Sequence, residues 1–257
     1  MKTTAFRHFL QTVVLLSALS ARSLLAATFS LNPAADAFVT TGPSGNLSTN
    51  NYGGAGALSV AAAGLAQGEF QSVLQFNLSG AKSSFDSQFG AGQWSIQSVT
   101  LQLTAASPNN PIFNTSAAGQ FGISWMQNDG WIEGTGSPQA PASSGIMFAT
   151  LSSFLGGADE ALGTFSYNGV TSGNSTYTLS LMPSLSADVL SGSTLSLRMF
   201  AADNTVSYLS DSRSFGTASA RPLLTLTAVP EPGTLSLGLI GLSLFANRRL
   251  RSRTTQS

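Results

Sequence analysis

The chain of 257 residues balances eleven Lys and Arg against eleven Asp and Glu, holds a single histidine, His8, and has no cysteine. Disulfides, Cys-His or Ser-His-Asp nucleophilic systems in the body, and metal sites built on thiolate or imidazole are thereby excluded, leaving carboxylates, hydroxyls, Tyr, Lys and Arg for any chemistry. Seven of the basic residues lie in the two ends, so residues 27–232 carry four cations against all eleven acids, a net −7 that argues against nucleic acid or anionic lipid as partners.

At the N-terminus, Lys2, Arg7 and His8 precede an apolar stretch over 9–19, and small residues follow at Ser20, Ala21, Ala26 and Ala27. This order reads as a signal peptide over 1–26, with Arg22 interrupting the region where cleavage falls. The remaining body, 27–228, is long enough for one core without disulfides.

Along that body, period-2 alternation recurs between clusters of Gly, Asn, Pro and Ser. The first short strands are expected over 36–40 and 57–62. A third covers 69–78, with Ser72, Leu74, Phe76 and Leu78 on one face. The clearest is 96–105, where Val99, Leu101 and Leu103 oppose Thr100, Gln102 and Thr104. Over 121–126, Phe121, Ile123 and Trp125 alternate with Gly122, Ser124 and Met126. Later strands are expected over 162–166, 177–181, 194–200, 206–209 and 223–228. One short helix is expected over 183–190, opened by Pro183 and stopped by Gly192. The pattern predicts an all-β fold, an antiparallel β-sandwich of jelly-roll type.

Candidate sites are few. Trp131 lies in the polar loop 128–136 beside Asp129 and Glu133. There it forms either a binding lip for a sugar face or a plug for the end of the sandwich. Trp125 reads as core and Trp94 as the cap of a sheet end. Asp129 with Glu133, or Asp159 with Glu160, would be the carboxylate pair for glycoside hydrolysis, a reaction that needs no histidine. Calcium would suit oxygen ligands at Asp36, Asp203, Asn204 and Asp211, but no calcium-loop pattern accompanies them, and turn residues explain them. No cofactor and no metal are expected. Arg213 and Arg221 are expected to pair with acids such as Asp211 or Asp203.

The last 29 residues are organised differently. Val229, Pro230, Glu231 and Pro232 read as an extended stalk, since two prolines fix φ and remove two donors. An uncharged apolar run follows over 233–246, then Arg248, Arg249, Arg251 and Arg253. Fourteen residues reach about 21 Å as a helix, short of the roughly 20 residues of an ordinary span, and the arginines form a membrane stop. Stalk, apolar segment and basic cluster resemble the PEP-CTERM sorting domain of Gram-negative bacteria. The resemblance implies processing by a membrane-embedded exosortase in cells that export polysaccharide and build biofilm matrix. It divides the chain into 1–26, 27–228 and a sorting tail, 229–257, with a C-terminal hydrophobic sorting helix.

The body is similar, more loosely, to DNRLRE-type secreted sandwich domains related to carbohydrate-binding modules. The pieces are 35–39 (Ala-Asp-Ala-Phe-Val), 50–53 (Asn-Asn-Tyr-Gly), 72–78, 98–103, 131–134 (Trp-Ile-Glu-Gly) and the closing stretch 210–227. This likeness implies a jelly-roll with a binding or structural role. Together these readings describe a protein exported across the inner membrane, held there transiently as an anchored precursor, then placed at the cell surface or in the extracellular matrix. Its body is expected to be structural or adhesive, not an enzyme. The alternatives are a carbohydrate-binding module for an exopolysaccharide and a carboxylate-based glycan-degrading enzyme.

Overall fold

The computed structural model describes residues 25–109 and 111–231. The signal peptide expected over 1–26, up to residue 24, and the tail beyond Glu231, including the apolar run and its arginines, lie outside the described residues. Among the described residues, no helix is long and apolar enough to cross a membrane.

Among the described residues, eleven strands build two sheets. The smaller contains β1 (Ala27–Leu31), β5 (Trp94–Thr104), β8 (Asn174–Leu179) and β11 (Leu223–Pro230), in the order β1-β11-β5-β8. The larger contains β2 (Ala35–Thr40), β3 (Ala57–Ala61), β4 (Phe70–Asn77), β6 (Gly119–Met126), β7 (Glu160–Tyr167), β9 (Thr194–Ala201) and β10 (Ser207–Asp211). Its order is β10-β3-β4-β9-β6-β7, with β2 joined to β4. Each β-strand expected from alternation is found, and β5 shows it best: Val99, Leu101 and Leu103 are buried while Thr100, Gln102 and Thr104 are half-buried. The sheets meet through aromatic rings. Phe121 of β6 meets Tyr177 of β8 edge-on at 5.1 Å, and Phe165 of β7 lies 5.3 Å from the same ring.

Two strands depart from simple alternation. Strand β4 is buried on both faces, as is β6 from Phe121 onward. On one face of β4, Val73 joins Ala37, Val39, Met126, Trp131, Ile146 and Leu151 in an apolar cluster. The long connection between β6 and β7 therefore covers that face of the larger sheet, carrying the single-turn helix α2 (Phe148–Leu151). On the other face, Phe38, Tyr52, Phe70 and Phe113 form a second cluster, with Phe38 and Tyr52 stacked at 4.8 Å.

The helix expected near 183 is α3 (Pro183–Ser191), with Pro183 in its first turn. It ends at Gly192, whose φ of 70° is the left-handed conformation a helix C-terminus favours. A longer helix, α1 (Ser79–Phe89), was not anticipated, nor was β1. Its buried residues Ala81, Phe85 and Phe89 recur every four positions, and Asn77 Oδ1 accepts from Ser79 N at its start (3.0 Å).

By compactness the chain divides into a large unit, Thr28–Ser84 with Ile96–Thr227, and a small one whose described residues are 25–27, 85–95 and 228–231. In the small unit, Trp94 packs 5.0 Å from Phe85 and donates from Nε1 to Asp86 Oδ1 at 2.8 Å. Glu231 N donates to Gln93 O at 2.9 Å. The free stalk expected from Val229 is therefore not free at its first two positions, because β11 runs through Val229 and Pro230. Proline is compatible there because it closes the strand, where one missing donor is least disruptive.

Candidate functional site

Four polar residues that are remote in sequence meet beside β2. Arg213 faces Glu133 with two nitrogens: Nη2 donates to Oε2 at 2.9 Å, and Nε lies 2.9 Å from Oε1 as an ion-pair contact without hydrogen-bond alignment. Glu133 Oε1 also accepts from Asp36 N at 3.1 Å, and Arg213 N donates to Asp36 Oδ2 at 2.7 Å. Asp36 is fully buried, and its Oδ1 has no hydrogen-bond partner. Burial raises its pKa to about 7; the Arg213 N–H opposes that rise, the Glu133 charge adds to it, and the Arg213 charge opposes it. Arg213 therefore pairs with Glu133, not with Asp211 or Asp203 as its sequence neighbourhood suggests.

Asn51 ties the surrounding loops together. Its Nδ2 donates to Glu133 O (2.7 Å) and Ile146 O (2.8 Å), while its Oδ1 accepts from Gly53 N (3.2 Å) and Gly136 N (3.1 Å). The glycines are required by the closeness of these strands of chain. A Cβ on Gly53 would stand 2.1 Å from Glu133 O, and one on Gly136 only 1.8 Å from Asn51 O. The pieces 35–39, 50–53 and 131–134 and the start of the closing stretch thus converge in space, each contributing one member: Asp36, Asn51, Glu133 and Arg213. The arrangement is internally satisfied apart from Asp36 Oδ1 and Arg213 Nε, and its geometry is that of a latch closing loops over the edge of β2, where Phe38 bridges Tyr52.

The other expected site residues separate. Trp131 is 4% exposed, inside the cluster over β4, with Nε1 donating to Ser196 Oγ at 3.1 Å. It is a plug and presents no ring to a sugar, because the sheet beneath it supplies apolar partners that solvent does not. Asp129 is exposed. Partial desolvation raises its carboxyl above the ordinary range, opposed by a Ser196 hydrogen bond and reinforced by Asp188. Asp159 and Glu160 bind backbone: Asp159 accepts from Gln127 N and Gly156 N, and Glu160 accepts from Ser184 N in the first turn of α3. Asp203 likewise accepts from Gln120 N, Thr205 N and Val206 N, the work of a turn residue. Among the described residues, no group of three or more Asp, Glu, His or Cys assembles to hold a metal.

One open groove of about 510 Å³ lies elsewhere on the large unit. It forms at a corner where the chain leaving β5 crosses to the larger sheet: Ala105 bridges Ser210, and Ala106 N donates to Leu209 O at 2.9 Å. Asp211, the end of β10 opposite Ala57, lines it together with Phe215, Ser107, Asn109, Gln139 and Thr171. Phe215 is 37% exposed. Sequence reading missed this groove because alanines and single polar residues from five segments carry no motif.

The described residues run into the first positions of the tail. Residues 228–253 match the PEP-CTERM protein-sorting motif. The chain carries a PEP-CTERM sorting tail. The match spans Val229, Pro230, Glu231 and Pro232, the apolar run, and Arg248, Arg249, Arg251 and Arg253. A PEP-CTERM tail implies exosortase processing and marks a secreted, membrane-anchored precursor bound for the cell surface or extracellular space. No curated protein matches the chain.

Proposed function

We propose that this PEP-CTERM protein is a structural or adhesive component of the extracellular matrix, its β-sandwich acting by contact and not by catalysis. The observation that carries the proposal is the sorting motif at 228–253, which routes the body to the outside of the cell. The commitment of Glu133, Asp159 and Glu160 to partners within the protein supports a non-catalytic body. Both oxygens of Glu133 engage Arg213, while Asp159 and Glu160 hold backbone amides. A general acid and base would instead need free carboxyls facing one substrate position.

The test is removal of residues 233–257, which deletes the apolar run and arginines and leaves β11 whole. Immunoblots of envelope, matrix and medium should show the shortened protein in the medium, and the matrix should lose it. Envelope retention equal to the full chain would refute anchoring by the tail.

A second reading, recognition of an exopolysaccharide by the body, is favoured by one observation: the groove at Asp211 and Phe215.

A further inference from the structure

We infer that the groove between Asp211 and Phe215 binds an uncharged, hydroxyl-rich glycan chain, with Asp211 accepting hydroxyl hydrogen bonds and Phe215 packing on a sugar face. The inference rests on the second reading above and gives it a site and a ligand class. Three observations carry it. First, Asp211 is only 6% exposed, yet among the described residues no donor or cation meets its carboxylate. Its pKa is raised to about 6 by desolvation alone, with no hydrogen bond or charge moderating the shift. The carboxylate lines the open groove, where ligand hydroxyls can take the place of water as its donors. Vicinal hydroxyls of a pyranose supply two such donors to one carboxylate.

Second, the wall of the groove has the mixed character that sugars require. Phe215 exposes an aromatic ring beside the side chains of Ser107, Asn109, Gln139 and Thr171, which both donate and accept. The space of about 510 Å³ falls within the roughly 300–1,000 Å³ of ordinary ligand sites. Being open, it lets a polymer pass and not only an end.

Third, the charge selects against acidic polysaccharide. The groove is lined by one carboxylate and no Lys or Arg, and the nearest arginine in sequence, Arg213, is held by Glu133. A uronate would bring a second negative charge beside Asp211 without a counter-ion.

The full chain, purified in a zwitterionic sugar-free detergent, should be probed against uncharged, acidic and amine-bearing polysaccharides by array and then by titration calorimetry. Binding to uncharged glycans is expected, weakened about tenfold or more by Asp211→Asn and by Phe215→Ala. Leu190→Ala, which changes an exposed apolar residue outside the groove, should leave binding unaltered. Thermal melting of each variant separates site loss from unfolding, and Gln139→Ala serves as a further groove variant if either melts early. Glycan binding unchanged in all groove variants would overturn the site while the glycan-contact reading stands. Preference for acidic or only amine-bearing chains would overturn the ligand class. Absence of binding to every glycan would remove the site together with the reading beneath it.

Discussion

Asp36 is a carboxyl that the fold holds where ionisation is unfavourable. It has no exposure, one unpartnered oxygen, and Glu133 close enough to add its charge. Its pKa near 7 in the native state exceeds the ordinary carboxylate value, so the folded protein binds this proton more tightly than the unfolded chain does. The stabilisation from that proton is complete below about pH 4 and is lost as pH rises through about 7. Asp211, raised to about 6, acts in the same direction over the lower part of the window. Denaturant unfolding at a series of pH values should therefore show stability falling from pH 4 to 7, by an amount on the order of 3 kcal/mol for Asp36. Asp36→Asn keeps an acceptor for Arg213 N and should flatten the segment between pH 6 and 7. A variant with the same slope as the parent would show that Asp36 ionises normally and that other groups set the profile.

At the scale of elements, what was legible in the sequence followed from how each element meets solvent. Strand β5 has one wet face, and Val99, Leu101 and Leu103 announced it. Strands β4 and β6 are covered on both sides; alternation located both strands, but with polar residues such as Ser72 and Ser124 buried beside the apolar ones it could not show that neither face is wet. Pro183 and Gly192 delimited α3, whereas α1 was hidden by its serines, although Ala81, Phe85 and Phe89 form a helical stripe. The latch was visible as separate short pieces, yet nothing in their spacing says that Asn51 reaches Glu133 and Ile146. Trp131 shows the same limit, since a loop tryptophan among polar neighbours looks exposed until the sheet it covers is known. Trp131→Ala should cost about 3–5 kcal/mol in chemical denaturation, the range for removing a large buried aromatic. It would strip the cover from Val73, Ala37 and Val39. A loss below about 1 kcal/mol, in the range of surface substitutions, would mean that the connection over β4 is loosely held in solution.

For the whole molecule, the question is where the folded body stops and the sorting signal starts, because the two overlap. The sorting motif begins at Ala228, while β11 continues to Pro230 and Glu231 N is bonded to Gln93 O. Only Pro232 then separates the last described hydrogen bond from the apolar run at Gly233, so no more than about 8 Å of chain joins body to anchor. Two truncations distinguish an integrated junction from a free stalk. A chain ending at Pro232 keeps the strand end and the Glu231–Gln93 bond; one ending at Ala228 loses both. The shorter form should melt about 2–4 °C lower, the shift that a loss of about 1 kcal/mol produces in a domain of this size. Equal melting temperatures would show that Val229, Pro230 and Glu231 contribute nothing to the body. The junction would then be the accessible tether that its two prolines suggest, and exosortase would reach it without first fraying β11.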